Sequence, residues 1–69
     1  MANHVYNITE IVGTSPDGVD AAISNAINEA SKTLRNLDWF EVQSIRGHLD
    51  DDNVKDWQVT VKIGFRHES

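Results

Sequence analysis

Alternation of apolar and polar side chains is clearest near the end of the chain, where it predicts a β-strand over residues 54–65. From Trp57 to Phe65 every second side chain is apolar, so one face of the strand is apolar and the other largely polar. The apolar face must be covered by another element, and its five clearest members are Trp57, Val59, Val61, Ile63 and Phe65.

A helical pattern precedes this region. Ser15 is predicted to cap the helix and Pro16 to be its first residue. Lys32 and Arg35 fall in the predicted last turns, where positive charge is favoured. Apolar residues recur at spacings of three and four and form one stripe. The stripe is rich in alanine, so the helix can lie close to a sheet; its members are Val19, Ala22, Ile23, Ala26, Ile27, Ala30, Leu34 and Leu37.

Two further strands are predicted from β-branched and aromatic residues, over residues 4–12 and 40–49. Gly13 is predicted to end the first of them, and a polar turn at 50–53 joins the other to the final strand. The predicted fold is α+β with the order β-α-β-β, in which one helix covers a three-stranded antiparallel sheet. Residues 1–69 are predicted to form a single domain.

Trp39 is the residue that this fold explains least. Phe40 and Val42 are expected to share the core face with Ile63, so alternation places Trp39 on the opposite, outer face. A large ring in that position is costly unless a flat surface covers it. The candidates are another subunit, a planar ligand, or both.

Pairing Val42 with Ile63 gives a predicted register for the last two strands. It places Trp39 near Arg66, and Gln58 on the same outer face opposite Gly47. Trp39 and Gln58 would then be about 26 Å apart, at about 3.3 Å per residue. If both serve one site, they come from different chains unless a bulge or a strong bend intervenes.

Size and charge narrow the possible partners. The chain has 69 residues, no cysteine and a formal charge of −5. A core this small usually needs support, and without disulfides oligomerisation is the favoured source. The negative charge argues against nucleic acid and against anionic membranes. Because neither a spanning segment nor a signal peptide is recognisable, a soluble cytoplasmic protein is expected.

Metal binding and catalysis find little support in the sequence. The histidines His4, His48 and His67 lack a ligand spacing, and the acidic run at 50–52 lacks the pattern of a calcium loop. No nucleophile–base pair or phosphate-binding glycine loop is recognisable. The protein is therefore not expected to be an enzyme or to hold a metal.

Four segments together resemble the dodecins, which are small flavin-binding proteins. The resemblance covers nearly the whole chain in order. Each segment alone is weak, but the combination in a short β-α-β-β chain is specific. The segments are GTSPDG (13–18), LDWFEV (37–42), IRGH (45–48) and WQVTVKIGFR (57–66).

The resemblance implies a sheet wrapped around the helix and a hollow homododecamer that stacks pairs of flavins between tryptophans. Trp39 matches the stacking tryptophan, and Gln58 matches the glutamine that hydrogen-bonds the polar edge of the flavin. Arg46 and Arg66 match basic positions used around flavin, phosphate groups or coenzyme A. His48 matches a variable position near the ligand. The presence of Arg46 makes the chain resemble the bacterial, FMN-preferring branch more than the archaeal, riboflavin-type branch.

Elementary chemistry is consistent with these implied roles. An indole offers a flat apolar platform, and a carboxamide offers both a donor and an acceptor to the flavin edge. A flavin held between an indole and a second flavin has little room for a substrate, which favours storage, buffering or photoprotection. Two alternatives stay open: a structural oligomer whose Trp39 face is only a subunit interface, and a small flavoenzyme.

Overall fold

In the computed structural model, which describes residues 3–67, one helix packs on a three-stranded antiparallel sheet. The last strand is central, because the strand order is β1-β3-β2. The prediction of a β-α-β-β fold is confirmed. The elements are β1 (Tyr6–Ser15), α1 (Val19–Ala30), β2 (Leu37–Asp50) and β3 (Asn53–Arg66).

The core lies between the central strand and the alanine stripe, as the pattern predicted. Val59, Val61 and Ile63 are fully buried on the helix-facing side of β3. The helix also approaches β1 closely. A Cβ atom on Gly13 would overlap the carbonyl oxygen of Ala22, so glycine is required there. Gly13 therefore lies within β1 as a contact point for the helix, and the prediction that it ends the strand is wrong.

The helix begins later than predicted. Its N-cap is Gly18, and no side chain caps it. Ser15 is instead the last residue of β1, and its buried hydroxyl accepts a hydrogen bond of 3.0 Å from the backbone N–H of Asp17. The capping role predicted for Ser15 is wrong, because this hydroxyl stabilises the turn that leaves the strand.

The helix also ends earlier than predicted. It stops at Ala30, and the chain then turns through Asn36, whose φ of 62° lies in the left-handed region. Lys32 and Arg35 therefore follow the helix, and Leu37 begins β2. Leu34 and Leu37 still pack against the core as half-buried residues. Their apolar spacing therefore identified core residues correctly, although the helix that it predicted was too long.

The predicted polar turn between β2 and β3 is confirmed. Asp50 pairs with Asn53, and the two residues between them, Asp51 and Asp52, have φ values of 50° and 64°. Two successive left-handed residues are what a two-residue hairpin turn of type I′ requires.

The predicted register between β2 and β3 is wrong by two residues near Trp39. Val42 pairs with Val61 rather than Ile63, and Trp39 pairs with Gly64 rather than Arg66. The hairpin turn sets this register, because the pairing of Asp50 with Asn53 continues in step to Val42 and Trp39. Two irregularities lie between, one that skips Lys55 of β3 and one that skips Gln43 of β2, and their displacements cancel before Val42.

The inner, helix-facing side of β2 is largely bare in a single chain. The helix packs on β1 and β3. Phe40 and Val42 lie on the core face of the sheet, as predicted, but are 48% and 38% exposed. Ile45 and Leu49 are 53% and 72% exposed. The Cα trace measures 56 × 20 × 13 Å, so one helix is too short to cover the long hairpin.

Candidate functional site

Trp39 lies on the outer face of the sheet, as predicted, and its indole rests on Gly64 of the central strand. A Cβ atom on Gly64 would overlap three atoms of the six-membered part of the indole, Cε2, Cζ2 and Cη2. Gly64 is buried, whereas Trp39 is 42% exposed. One side of the ring therefore contacts the sheet while a large part of the indole remains open to a binding partner.

Tyr6 fixes the indole from the side. The two ring centroids are 4.9 Å apart and the ring planes meet at 71°, an edge-to-face contact. Partial burial, together with a hydrogen bond to Asp38 and the negative charge of Asp38, raises the pKa of the Tyr6 phenol. The positive charge of Arg66 acts in the opposite direction. Tyr6 is thus held between the indole and an acidic neighbour.

Arg66 lies at this same end of the sheet, although it does not pair with Trp39. It pairs with Tyr6 on β1, and its backbone N–H donates a 3.0 Å hydrogen bond to the carbonyl oxygen of Asn36. Trp39, Tyr6, Gly64 and Arg66 therefore form one group, which we call the indole seat.

Gln58, Arg46 and His48 form a second group farther along the hairpin. Arg46 pairs with Gln58, and its Nε donates a 3.1 Å hydrogen bond to Oε1 of Gln58. His48 pairs with Asp56, and its Nδ1 lies 2.9 Å from Oδ1 of that residue. The backbone N–H of His48 donates to the same oxygen at 3.3 Å. We call this group the amide cluster.

The irregularity at Gln43 places both groups on one face. Strict alternation from Trp39 would put Arg46 on the helix-facing side. Because pairing resumes at Ser44 with one residue skipped, Arg46 and His48 turn outward and Ile45 turns inward. The prediction that Gln58 lies opposite Gly47 is wrong, since Gly47 pairs with Trp57.

The five predicted site residues are thus divided between the two groups. Trp39 and Arg66 belong to the indole seat; Gln58, Arg46 and His48 belong to the amide cluster. Gly64 and Gln58 lie about 20 Å apart along β3, at about 3.3 Å per residue. This is shorter than the predicted 26 Å, but still too far for one ring to contact both groups of the same chain.

Three residues of these groups were missed by sequence reasoning: Tyr6, Gly64 and Asp56. The alternation along the final strand puts Gly64 on the face opposite Ile63 and Phe65, but only the correct register places it under Trp39. The same register places Asp56 beside His48. Tyr6 carried a weak signal, as an aromatic residue in an edge strand whose pairing could not be derived from alternation.

Other kinds of site are not seen in the described part of the chain. Residues 3–67 contain no group of three or more His, Cys, Asp or Glu side chains arranged to hold a metal ion. Nor does any helix within that range have the length and apolar character needed to cross a membrane.

Comparison with known proteins assigns this arrangement to a family. The family model described as Dodecin matches residues 5–68. The dodecin of Thermus thermophilus is 53% identical over 64 residues, which are 93% of each chain. The structure of dodecin from Streptomyces coelicolor has a TM-score of 0.95 and 59% identity, and covers 100% of this chain and 99% of its own. Dodecin from Streptomyces davaonensis has a TM-score of 0.94 and 60% identity, with coverages of 99% and 100%. The chain belongs to the dodecin family.

Proposed function

We propose that this protein binds flavin, as FMN or riboflavin, between tryptophans of different subunits and stores or sequesters it without catalysing a reaction. The observation that carries the proposal is the open indole of Trp39, supported from below by Gly64 and from the side by Tyr6. An outward-facing aromatic ring that is supported on two sides, in a dodecin-family chain, is suited to stacking on another flat ring.

The polar and charged side chains of the two groups are suited to binding a flavin. The edge of the isoalloxazine ring alternates carbonyl groups with an N–H group, and the Gln58 carboxamide can both donate and accept. Arg46 and Arg66 offer positive charge to the phosphate of FMN. His48 borders Arg46 and Gln58 and is a further candidate for contact. The same arginines make coenzyme A a possible second ligand, because it also carries phosphates.

Assembly of several chains, as the homododecamer of the family resemblance, is part of the proposal. The exposed inner side of β2 carries Phe40, Val42, Ile45 and Leu49, and a bare apolar strip of this kind favours a subunit interface. The distance of about 20 Å between Gly64 and Gln58 supports a site in which the indole and the carboxamide come from different chains.

Storage follows from the way in which such a site would enclose the ring. A flavin stacked on Trp39 and on a second flavin presents neither of its faces to a substrate. When bound, the flavin supplies a light-absorbing, redox-active ring. Contact with the Trp39 indole would allow the excited state of a bound flavin to decay by electron transfer and return, without net chemical change.

The test is a fluorescence titration of FMN and riboflavin into the assembled apoprotein. Strong quenching is expected, and Trp39→Ala should lower the affinity and restore emission. Stacking alone contributes about 0.5–1.5 kcal/mol beyond area burial. The only other tryptophan, Trp57, lies on the opposite face of the sheet, so Trp57→Phe is the matched control and should still quench.

Each competing function predicts a different result. An assembled protein that quenches neither flavin would support a structural oligomer. Flavin reoxidation coupled to a defined substrate would support a flavoenzyme. Native mass measurement, with release and identification of the bound ligand, determines the subunit number and shows whether coenzyme A is present.

A further inference from the structure

Arg46 and Gln58 face each other across the two longest strands. They are paired residues on the outer face, and Nε of Arg46 donates to Oε1 of Gln58 at 3.1 Å. Gln58 lies on the central strand and is half-buried, whereas Arg46 extends from the exposed strand β2. The arginine therefore touches the one carboxamide that the proposed function assigns to flavin recognition.

This contact determines which end of the carboxamide is available. A guanidinium group has only donors, so the amide group in contact with it must present its oxygen. The NH2 group of Gln58 then points away from Arg46. Without this partner, the amide could rotate by half a turn and exchange its donor and acceptor ends.

We propose that Arg46 is a positioning residue that holds the Gln58 carboxamide with its NH2 group directed at a ring carbonyl of the flavin. The inference rests on the proposed function and refines it. It assigns the NH2 group of Gln58 as the donor, and it gives Arg46 a role that does not require a phosphate on the ligand. The positive charge of Arg46 also polarises the amide, which strengthens its NH2 group as a donor.

A direct contact between Arg46 and a ligand phosphate is the competing explanation, and the two explanations differ in ligand dependence. If Arg46 orients Gln58, its loss weakens the binding of every ligand that carries the same ring edge. If Arg46 binds phosphate, its loss weakens FMN binding alone. Lumiflavin separates the two cases, because it has the isoalloxazine ring without ribityl chain or phosphate.

The experiment measures the dissociation constants of lumiflavin and FMN for the assembled protein and for Arg46→Met, which keeps an unbranched stem without donors. We expect both constants to rise by the same factor, about threefold to tenfold, as for the loss of one hydrogen bond. Arg46→Ala is the second variant if the methionine variant fails to assemble. Arg66→Met at the other end of the sheet is the comparison for a phosphate-dependent effect.

Two Gln58 variants test the orientation itself. In a Gln58→Ala background, Arg46→Met should cause no further loss of lumiflavin affinity, because the group that Arg46 positions is gone. Gln58→Glu keeps the size of the side chain and its contact with Arg46 but replaces the NH2 donor by a carboxylate oxygen. It should bind lumiflavin no better than Gln58→Ala does.

Three results would overturn the inference: unchanged lumiflavin affinity in Arg46→Met with weakened FMN binding, additive losses in the double variant, or wild-type lumiflavin affinity in Gln58→Glu. Failure of the proposed function looks different. In that case the unmodified, assembled protein would bind neither lumiflavin nor FMN, before any arginine is changed.

Discussion

Gly64→Ala is the most direct test of the seat on which the Trp39 indole rests. The substitution adds one methyl group beneath the ring and changes nothing else on the outer face. Among the described glycines only Gly18 has a positive φ, so alanine at position 64 causes no backbone strain. On backbone grounds alone it should stabilise the strand by about 0.5–1 kcal/mol. Any loss of flavin binding in this variant must therefore come from contact between the added methyl group and the indole.

The size of the effect follows from the contact that the methyl group would make. It would overlap three indole atoms, and restoring a normal carbon–carbon separation of about 3.5 Å requires the ring to move by about 1 Å. Trp39 is 42% exposed, so the ring can tilt or swing outward without disturbing the core. We expect the stacking contribution of about 0.5–1.5 kcal/mol to be lost, which weakens flavin binding by about twofold to tenfold.

The assay compares flavin affinity and quenching in the assembled wild-type and Gly64→Ala proteins, with native mass confirming assembly. The control is the same substitution in a Trp39→Ala background, where no indole remains to be displaced and alanine should have no further effect. Equal affinity and equal quenching in wild type and Gly64→Ala would refute the reasoning, because the indole would then not depend on this seat.

Two further predictions concern the turn and the tyrosine. Asp52→Gly should raise the free energy of unfolding by about 0.5–1 kcal/mol, because glycine adopts the left-handed φ of that turn position freely. The matched control is Asp50→Gly, at a position without positive φ, which should not raise the free energy of unfolding. Thermal unfolding measures both variants. Absorbance titration of Tyr6, the only tyrosine, should give a pKa above 10.0 that falls toward 10.0 in Asp38→Asn. Because the pKa of Tyr6 is raised in the folded protein, the stability linked to this group is fully present below pH 10 and is lost as the pH rises through the folded pKa. A Tyr6→Phe variant whose stability falls with alkaline pH in the same way as that of the wild type would contradict this.

Much of the fold could be predicted because the hydrophobic pattern typical of a strand or a helix recurs over many residues of each element. The alternation along β3 identified the buried residues Val59, Val61 and Ile63, and the alanine stripe identified the helix that covers them. Errors arose at the ends of the helix and strands, where the hydrogen bond of a single side chain can determine the residue at which an element begins or ends. Ser15 has the chemistry of a helix cap, but its hydroxyl is used by the N–H of Asp17 in the preceding turn.

The site could be predicted only in part, because residue roles came from a resemblance while geometry depends on strand register. Outward placement of Trp39 followed from alternation and was confirmed. The pairing of Arg46 with Gln58 could not be derived, since it depends on the unpaired residues Lys55 and Gln43, which have no distinctive residue type. The partial exposure of Phe40 also could not be foreseen, because it depends on how far the helix reaches across the sheet.

The skipped residue at Gln43 gives β2 two halves of opposite parity. From Trp39 to Val42 the odd-numbered residues face outward, and from Ser44 to His48 the even-numbered residues do. Deleting Gln43 would leave these orientations unchanged, because Val42 and Ser44 already pair with consecutive residues of β3. If Gln43 instead took a regular place in the ladder, Ile45 and Arg46 would exchange environments, which would place an aliphatic group among the proposed ligand contacts and a cation against the apolar side. One unpaired residue therefore decides which face half of the strand presents, and comparisons with related chains must match residues beyond it by their orientation.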